Sequence, residues 1–130
     1  MFLFFSSAPI REIRGSYSEI AFRLFSPQYP PIMNDPQPID VSVVVPVYNE
    51  EENVDRLCER LHASLSRLGR SYEALLIDDG SSDRTWEKLS ACAKKYPGFR
   101  LIRFRRNFGQ TAAMSAGFHK SRGKVVVTLD

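Results

Sequence analysis

At 130 residues and 14.8 kDa the chain has room for one modest domain. Hydrophobic residues at 43% and charged residues at 25% exclude wholesale disorder. A net charge of +3 and a pI near 9.0 are too weakly basic to imply nucleic acid unless the charge is concentrated. Only Arg100, Arg103, Arg105 and Arg106 cluster, around an apolar strand with no stacking platform or zinc ligands beside them. They read as a solvated strand edge and loop, and no nucleic-acid partner is expected.

The opening "MFLFFSSAPI" has no Lys or Arg before its apolar run, and that run is too short for the core of a secretory signal. "PIREIRGSYSEIAFRLF" could form a short amphipathic helix with Ile13, Tyr17, Ile20 and Leu24 on one face, although Gly15 and Ser16 interrupt it. Pro27, Pro30, Pro31, Pro36 and Pro38 follow, each removing a backbone donor and extending the residue before it. Residues 1–40 are therefore expected to be a Pro-rich, mostly disordered extension, with Met33 as an alternative start, and residues 41–130 the folded part.

From residue 41 the pattern turns regular. "VSVVVPV" is a near-continuous apolar run, as in a strand buried on both faces of a parallel sheet. In the helix that follows, Val54, Leu57, Leu61, Leu65 and Leu68 share a face. Asn49 is its expected cap, Glu52 completes a capping-box spacing, and Gly69 ends it. "YEALLID" is a second strand, and "DRTWEKLSACAKKY" a second helix with Trp86, Leu89, Ala93 and Tyr96 inward and Asp83 as its cap. "FRLIRF" is a third strand, "QTAAMSAGFHKSRG" a helix with a small-residue face at Ala113, Ala116 and Gly117, and "KVVVTL" a fourth strand.

Cys58 and Cys92 lie far apart, without metal spacing, and read as reduced, semi-buried thiols of a cytoplasmic protein. His62 and His119 stand alone, one per helix, and are assigned no ligand or base role. No apolar run is long enough for a membrane span.

The order β-α-β-α-β-α-β predicts an α/β fold, a parallel sheet with helices on both faces. Ligands of such sheets bind beyond the carboxyl ends of the strands. That rule selects "PVYNE", "DDGSSD", "RRNFGQ" and the final Asp130. Neither a dinucleotide fingerprint nor a P-loop is present. Instead the acids Glu50, Asp78, Asp79, Asp83 and Asp130 fall at this edge. Their mutual repulsion calls for compensation, and Mg²⁺ or Mn²⁺ carrying a phosphate ligand would supply it. A turn at Gly80 accounts for one acid of the Asp78–Asp79 pair better than for both.

"VSVVVPVYNEEENV", "LLIDDGSSDRTWEKL" and "RNFGQTAAMSAGFHKSRGKVVVTLD" together resemble the family 2 glycosyltransferases of the GT-A fold, nearest to those that load sugars onto polyprenyl phosphates. The resemblance covers residues 41–130 and implies a Rossmann-like half that binds a nucleoside diphosphate sugar. It implies that Pro46, Tyr48 and Glu50 line the nucleotide pocket. It gives Asp79 the base, with Asp78 as its neighbour, and sets Asn107, Gly109 and Gln110 near the sugar-nucleotide. Asp130 matches the first Asp of the family's D-x-D, which holds the Mg²⁺ or Mn²⁺ on the diphosphate. The sequence stops there, so the chain is expected to be truncated after the fourth strand and inactive by itself, with a polyprenyl-phosphate acceptor served only by a longer protein, one often found at the cytosolic face of a membrane. Two other classes compete. A phosphoacceptor receiver domain would carry its acid pair after the first strand rather than the second. A non-catalytic interaction module would keep the fold and bind no nucleotide.

Overall fold

The computed structural model describes residues 38–129. The expectations for the Pro-rich segment before Pro38, its helix and Met33, and for Asp130, lie outside the described residues. Strands β1 (Val41–Val47), β2 (Tyr72–Asp78), β3 (Phe99–Arg103) and β4 (Val125–Thr128) alternate with helices α1 (Val54–Ser66), α2 (Thr85–Lys95) and α3 (Gln110–Lys120). All pairings are parallel, in the order β3-β2-β1-β4. The expected alternation and the first two strands are as anticipated. The third helix is shorter than expected because Ser121 turns extended at its end.

The apolar runs of β1 and β2 are explained by helices on both faces. Val43, Val45, Val47, Ala74 and Leu76 meet Val54, Cys58, Leu61 and Leu65 of α1 and Leu89 and Cys92 of α2. The opposite side chains, Val44 and Ile77, meet α3 at Gly117, where an added Cβ would run into both. The small-residue face thus lets α3 lie close on the sheet. Leu75, Leu76, Ile77 and Leu89 are fully buried, and each such side chain stabilises the fold by about 1.5–3 kcal/mol.

Details of the helices differ from expectation. The capping box of Asn49 and Glu52 does not form: Asn53 precedes α1 without a side-chain cap bond, and the amides of Asn53 and Val54 donate to the Glu50 carbonyl. Leu68 lies beyond the end of α1 and is exposed. Trp86 is only half-buried, and the Arg103 guanidinium sits 5.0 Å from its ring centre. The two cysteines, distant in sequence, are buried free thiols on α1 and α2. Burial, reinforced by Cys92, pushes the Cys58 thiol far up, which makes it inert. His62 stacks on Tyr96 at 4.5 Å and meets the Tyr72 hydroxyl at 3.3 Å, so it serves packing.

A buried polar node ties the amino ends of the strands together. Glu73 of β2 is 1% exposed. Its Oε1 accepts from the Ser42 hydroxyl (2.7 Å) and the Arg122 amide (2.7 Å), and its Oε2 from Arg100 (2.7 Å) and Arg122 Nε (3.0 Å). Arg100 is therefore anchored on a buried carboxylate rather than solvated, and Arg103 likewise reaches Asp78. Burial alone would raise the Glu73 carboxyl, but the bonds from Ser42, Arg100 and Arg122 outweigh it and hold it below the usual range. A depressed carboxylate contributes stability that is present above its unfolded value, about 4.3, and lost as pH falls through the folded value. The thermal midpoint is expected to hold above about pH 5 and to fall below about pH 4. In Glu73→Gln the neutral-pH midpoint should drop and the acid decline should be shallower. Circular dichroism melts across that range check this; an acid decline of unchanged depth would count against it.

The chain moves from β1 to β2 to β3 in one direction and then returns to the far side of β1 as β4. The topological switch therefore lies between β1 and β4, and the crevice at the carboxyl ends there is where such sheets take ligands.

Candidate functional site

Three loops leave the carboxyl edge of the sheet: residues 48–53 after β1, 79–84 after β2, and 104–109 after β3. Asn49 adopts a left-handed φ of 51°, which Asn tolerates better than most side chains. Its amide donates to Ser81 Oγ (2.9 Å), and its Oδ1 accepts from the Ser82 amide (2.9 Å). The Glu50 amide donates to Thr85 Oγ1 (2.8 Å) and the Glu51 amide to Asp83 Oδ2 (3.2 Å). In return Glu51 Oε2 accepts from the Arg84 amide (3.0 Å). The first two loops are thereby stapled in both directions. Sequence reasoning missed Asn49, Ser81, Ser82 and Thr85 in this role; their density of short polar side chains beside strand ends was the available signal.

The second and third loops are joined by Asp79 and Gly80. Asp79, 3% exposed, accepts the Phe108 amide on Oδ1 (2.8 Å) and the Gly109 amide on Oδ2 (2.9 Å). Gly80, at φ 73°, lies so close to Arg106 and Asn107 that an added Cβ would run into their backbone. Asp78 is fully buried, and its Oδ1 accepts the Ser81 amide (3.0 Å). Arg103 Nε comes within 3.3 Å of Asp78 Oδ2 but without hydrogen-bond alignment, so the pair is held by charge alone. The cap position of α2 is Arg84 rather than the expected Asp83, which stands one residue earlier and accepts the Thr85 amide (2.9 Å). The Thr85 side chain and amide hold the Asp83 carboxyl below its ordinary value, and the Arg84 amide does the same for Glu51.

Backbone amides bond to Asp78, Asp79 and Asp83, and Arg103 lies beside Asp78, so the chain's own groups offset part of the acid repulsion. Among the described residues no three His, Cys, Asp or Glu side chains form a group that could hold a metal ion. The described carboxylates therefore do not fit Mg²⁺ or Mn²⁺ by themselves.

The remaining candidates lie on the rim. Pro46 is half-buried within β1, while Tyr48 is 46% exposed. Glu50 is exposed and accepts from Asn53 Nδ2 (2.7 Å). Asn107 and Gln110 are exposed and Gly109 half-buried, where α3 begins. No acidic residue occupies the first turn of α3, so its positive end is not neutralised from within the helix. Phe108, missed by sequence reasoning, is also exposed, between the Arg106 guanidinium at 4.5 Å and the edge of Phe104. The loops thus present aromatic rings, amides and a helix start on a rigid frame, a set suited to a flat base and an anionic phosphate.

The model of the glycosyl transferase family 2 matches residues 42–130, most of the chain and all three loops. The chain belongs to glycosyltransferase family 2. That membership sets aside the receiver domain. Over 98 residues this family 2 chain is 50% identical to the undecaprenyl-phosphate 4-deoxy-4-formamido-L-arabinose transferase of Pseudomonas paraeruginosa, covering 73% of the chain. Over 103 residues it is 43% identical to the dodecaprenyl-phosphate galacturonate synthase of Rhizobium johnstonii, covering 75%. It spans 29% of the length of each of those two relatives. The fold is that of solved GT-A glycosyltransferases. The TarS protein of S. aureus (residues 1–349) superposes with a TM-score of 0.61 at 21% identity, over 71% of this chain and 27% of that one. A mannosyltransferase of Pyrobaculum calidifontis, solved with GDP-mannose and Mn²⁺, superposes with a TM-score of 0.56 at 23% identity, over 66% of this chain and 25% of that one. Among the described residues no helix is long and apolar enough to cross a membrane.

Proposed function

We propose that residues 41–130 are the donor-nucleotide half of a glycosyltransferase that moves a sugar from a nucleoside diphosphate sugar to a polyprenyl phosphate. The observation that carries this is the stapling of the three strand-end loops of a family 2 chain into one frame at the switch-point edge. The polyprenyl acceptor is favoured by the two relatives, both named for polyprenyl-phosphate chemistry.

Pro46, Tyr48 and Glu50 form the wall on which the base rests, Tyr48 offering its exposed ring. Asp79 holds the Phe108–Gly109 backbone, and each of its oxygens keeps a second lone pair for the base edge. Asp78 supports it from beneath. Asn107, Gly109 and Gln110 bring the start of α3 to the diphosphate, where amides and the helix dipole favour negative charge. Asp130 comes two residues after β4 in the sequence and is assigned to Mg²⁺ or Mn²⁺ by the family's D-x-D. Such a cation, when bound, neutralises charge on the departing nucleoside diphosphate. The buried free thiols suit a cytoplasmic setting.

Calorimetric titration of the chain with UDP and GDP, each with and without Mn²⁺, tests the proposal. Binding of one nucleotide that tightens at least several-fold with Mn²⁺ is expected. No binding of either would favour the interaction module instead.

A further inference from the structure

Among the described residues Asn49 is the one non-glycine residue with a left-handed backbone, at φ 51°. Such a residue persists where the structure around it holds it, and the conformation turns the chain sharply between its neighbours. Those neighbours are Tyr48 and Glu50, the side chains assigned above to the wall under the base.

The hold is made at successive residues, all from the loop after β2 and the start of α2. The Val47 carbonyl accepts the Asp79 amide (2.9 Å), and the Asn49 amide donates to Ser81 Oγ (2.9 Å). Asn49 Oδ1 accepts the Ser82 amide (2.9 Å), and the Glu50 amide donates to Thr85 Oγ1 (2.8 Å). Ser81 is itself fixed: it is buried, and its amide donates to the buried Asp78 carboxylate (3.0 Å). Asn49 does not cap α1, which begins at Val54 behind Asn53. Its side-chain oxygen serves the neighbouring loop instead.

We propose that Asn49 is a positioning residue for recognition of the base. Its left-handed turn, locked by Ser81 and Ser82, sets the direction from which Tyr48 and Glu50 meet the nucleotide. Asn49 acts through those two residues and touches no ligand. Its role at the site rests on their assignment to the base wall, while the lock stands on the hydrogen bonds alone.

The test titrates the full chain and its variants with UDP and with GDP in the presence of Mn²⁺. Asn49→Ala keeps neither the acceptor nor the tolerance of positive φ, Asn49→Gly keeps the second, and Asn49→Asp keeps both. The unaltered chain should prefer one nucleotide, and Asn49→Ala should bind that one about tenfold more weakly. The other nucleotide, held mainly by its diphosphate, should change by less than about twofold, so the preference falls with the affinity. Asn49→Asp should stay within about threefold of the unaltered chain and Asn49→Gly fall between, which carries the test if Asn49→Ala does not fold. In Asn49→Gly the Ser82 amide should exchange at least about tenfold faster, with less than about twofold change at Leu61 and Leu75.

Equal weakening toward both nucleotides would mark a merely structural role and overturn the proposal, as would no rescue by Asn49→Asp. Unchanged exchange at Ser82 overturns the lock. Equal binding of both nucleotides by the unaltered chain overturns the base role, because the base is then not read. Binding of neither by the unaltered chain sinks the donor-site reading itself, whereas normal binding with an unaltered preference in the variants sinks this inference alone.

Discussion

Replacing Gly80 by alanine is expected to lower stability by roughly 2–5 kcal/mol, about 1–2 from the left-handed backbone and 1–3 from forced overpacking. The two costs arise together because the residue sits at φ 73° and its missing Cβ is the space that the Arg106–Asn107 backbone occupies. Backbone cannot rotate aside as a side-chain tip would. The second and third loops must separate, and the bonds from Asp79 to Phe108 and Gly109 are stretched as they do. With about 4–8 °C per kcal/mol for a domain of this size, the melting midpoint should fall by on the order of 10–30 °C. Nucleotide binding should vanish in the fraction that remains folded. A midpoint shift of less than about 3 °C would show that the loop contact is softer than its geometry implies.

The second large effect concerns Asp79. Asp79→Ala leaves two amides at the heart of the loop frame without their charged acceptor, and hydrogen bonds to charged groups contribute about 1.5–3 kcal/mol each. A loss on the order of 3–6 kcal/mol is expected. Asp79→Asn restores one acceptor but sets its NH₂ against the other amide, so it should recover less than half. The pair of variants separates two roles. If Asp79 served only the base of the nucleotide, Asp79→Asn would weaken binding and leave the midpoint where it was. Because the carboxylate braces the Phe108–Gly109 backbone, the midpoint and the affinity should fall together, with faster amide exchange at both residues. Calorimetry, thermal melts and exchange on the same samples decide between them.

The same residues show how far the site could be read in advance. The four strand-end segments were marked by strand order, since parallel sheets take ligands at their carboxyl ends. Asp79 and Asp78 were picked out as acids in excess of what a turn requires. What they bond to could not be read, because an Asp facing a cation and an Asp facing two amides have the same letter. Phe108 carries no separate signal in the sequence, because an aromatic after a strand can serve core or surface. The capping box at Asn49 and Glu52 fitted its spacing yet lost to a tertiary alternative, in which Asn49 serves the loop across from it and the helix begins later.

The sequence by itself determined the elements, their parallel arrangement and the family. Runs such as "VSVVVPV" and "YEALLID" force burial on two faces, and helices of matching period supply the cover. Those signals are local and repeat along the chain. Tertiary structure alone decided the pairing of loops, the burial of Glu73 under Arg100, Arg122 and Ser42, and the return of β4 to the far side of β1. Each depends on groups from about 27 to 81 positions apart meeting with the right donor opposite the right acceptor. Hydrogen-bond direction at such separations is set only when the sheet has brought the ends together, so no local pattern encodes it.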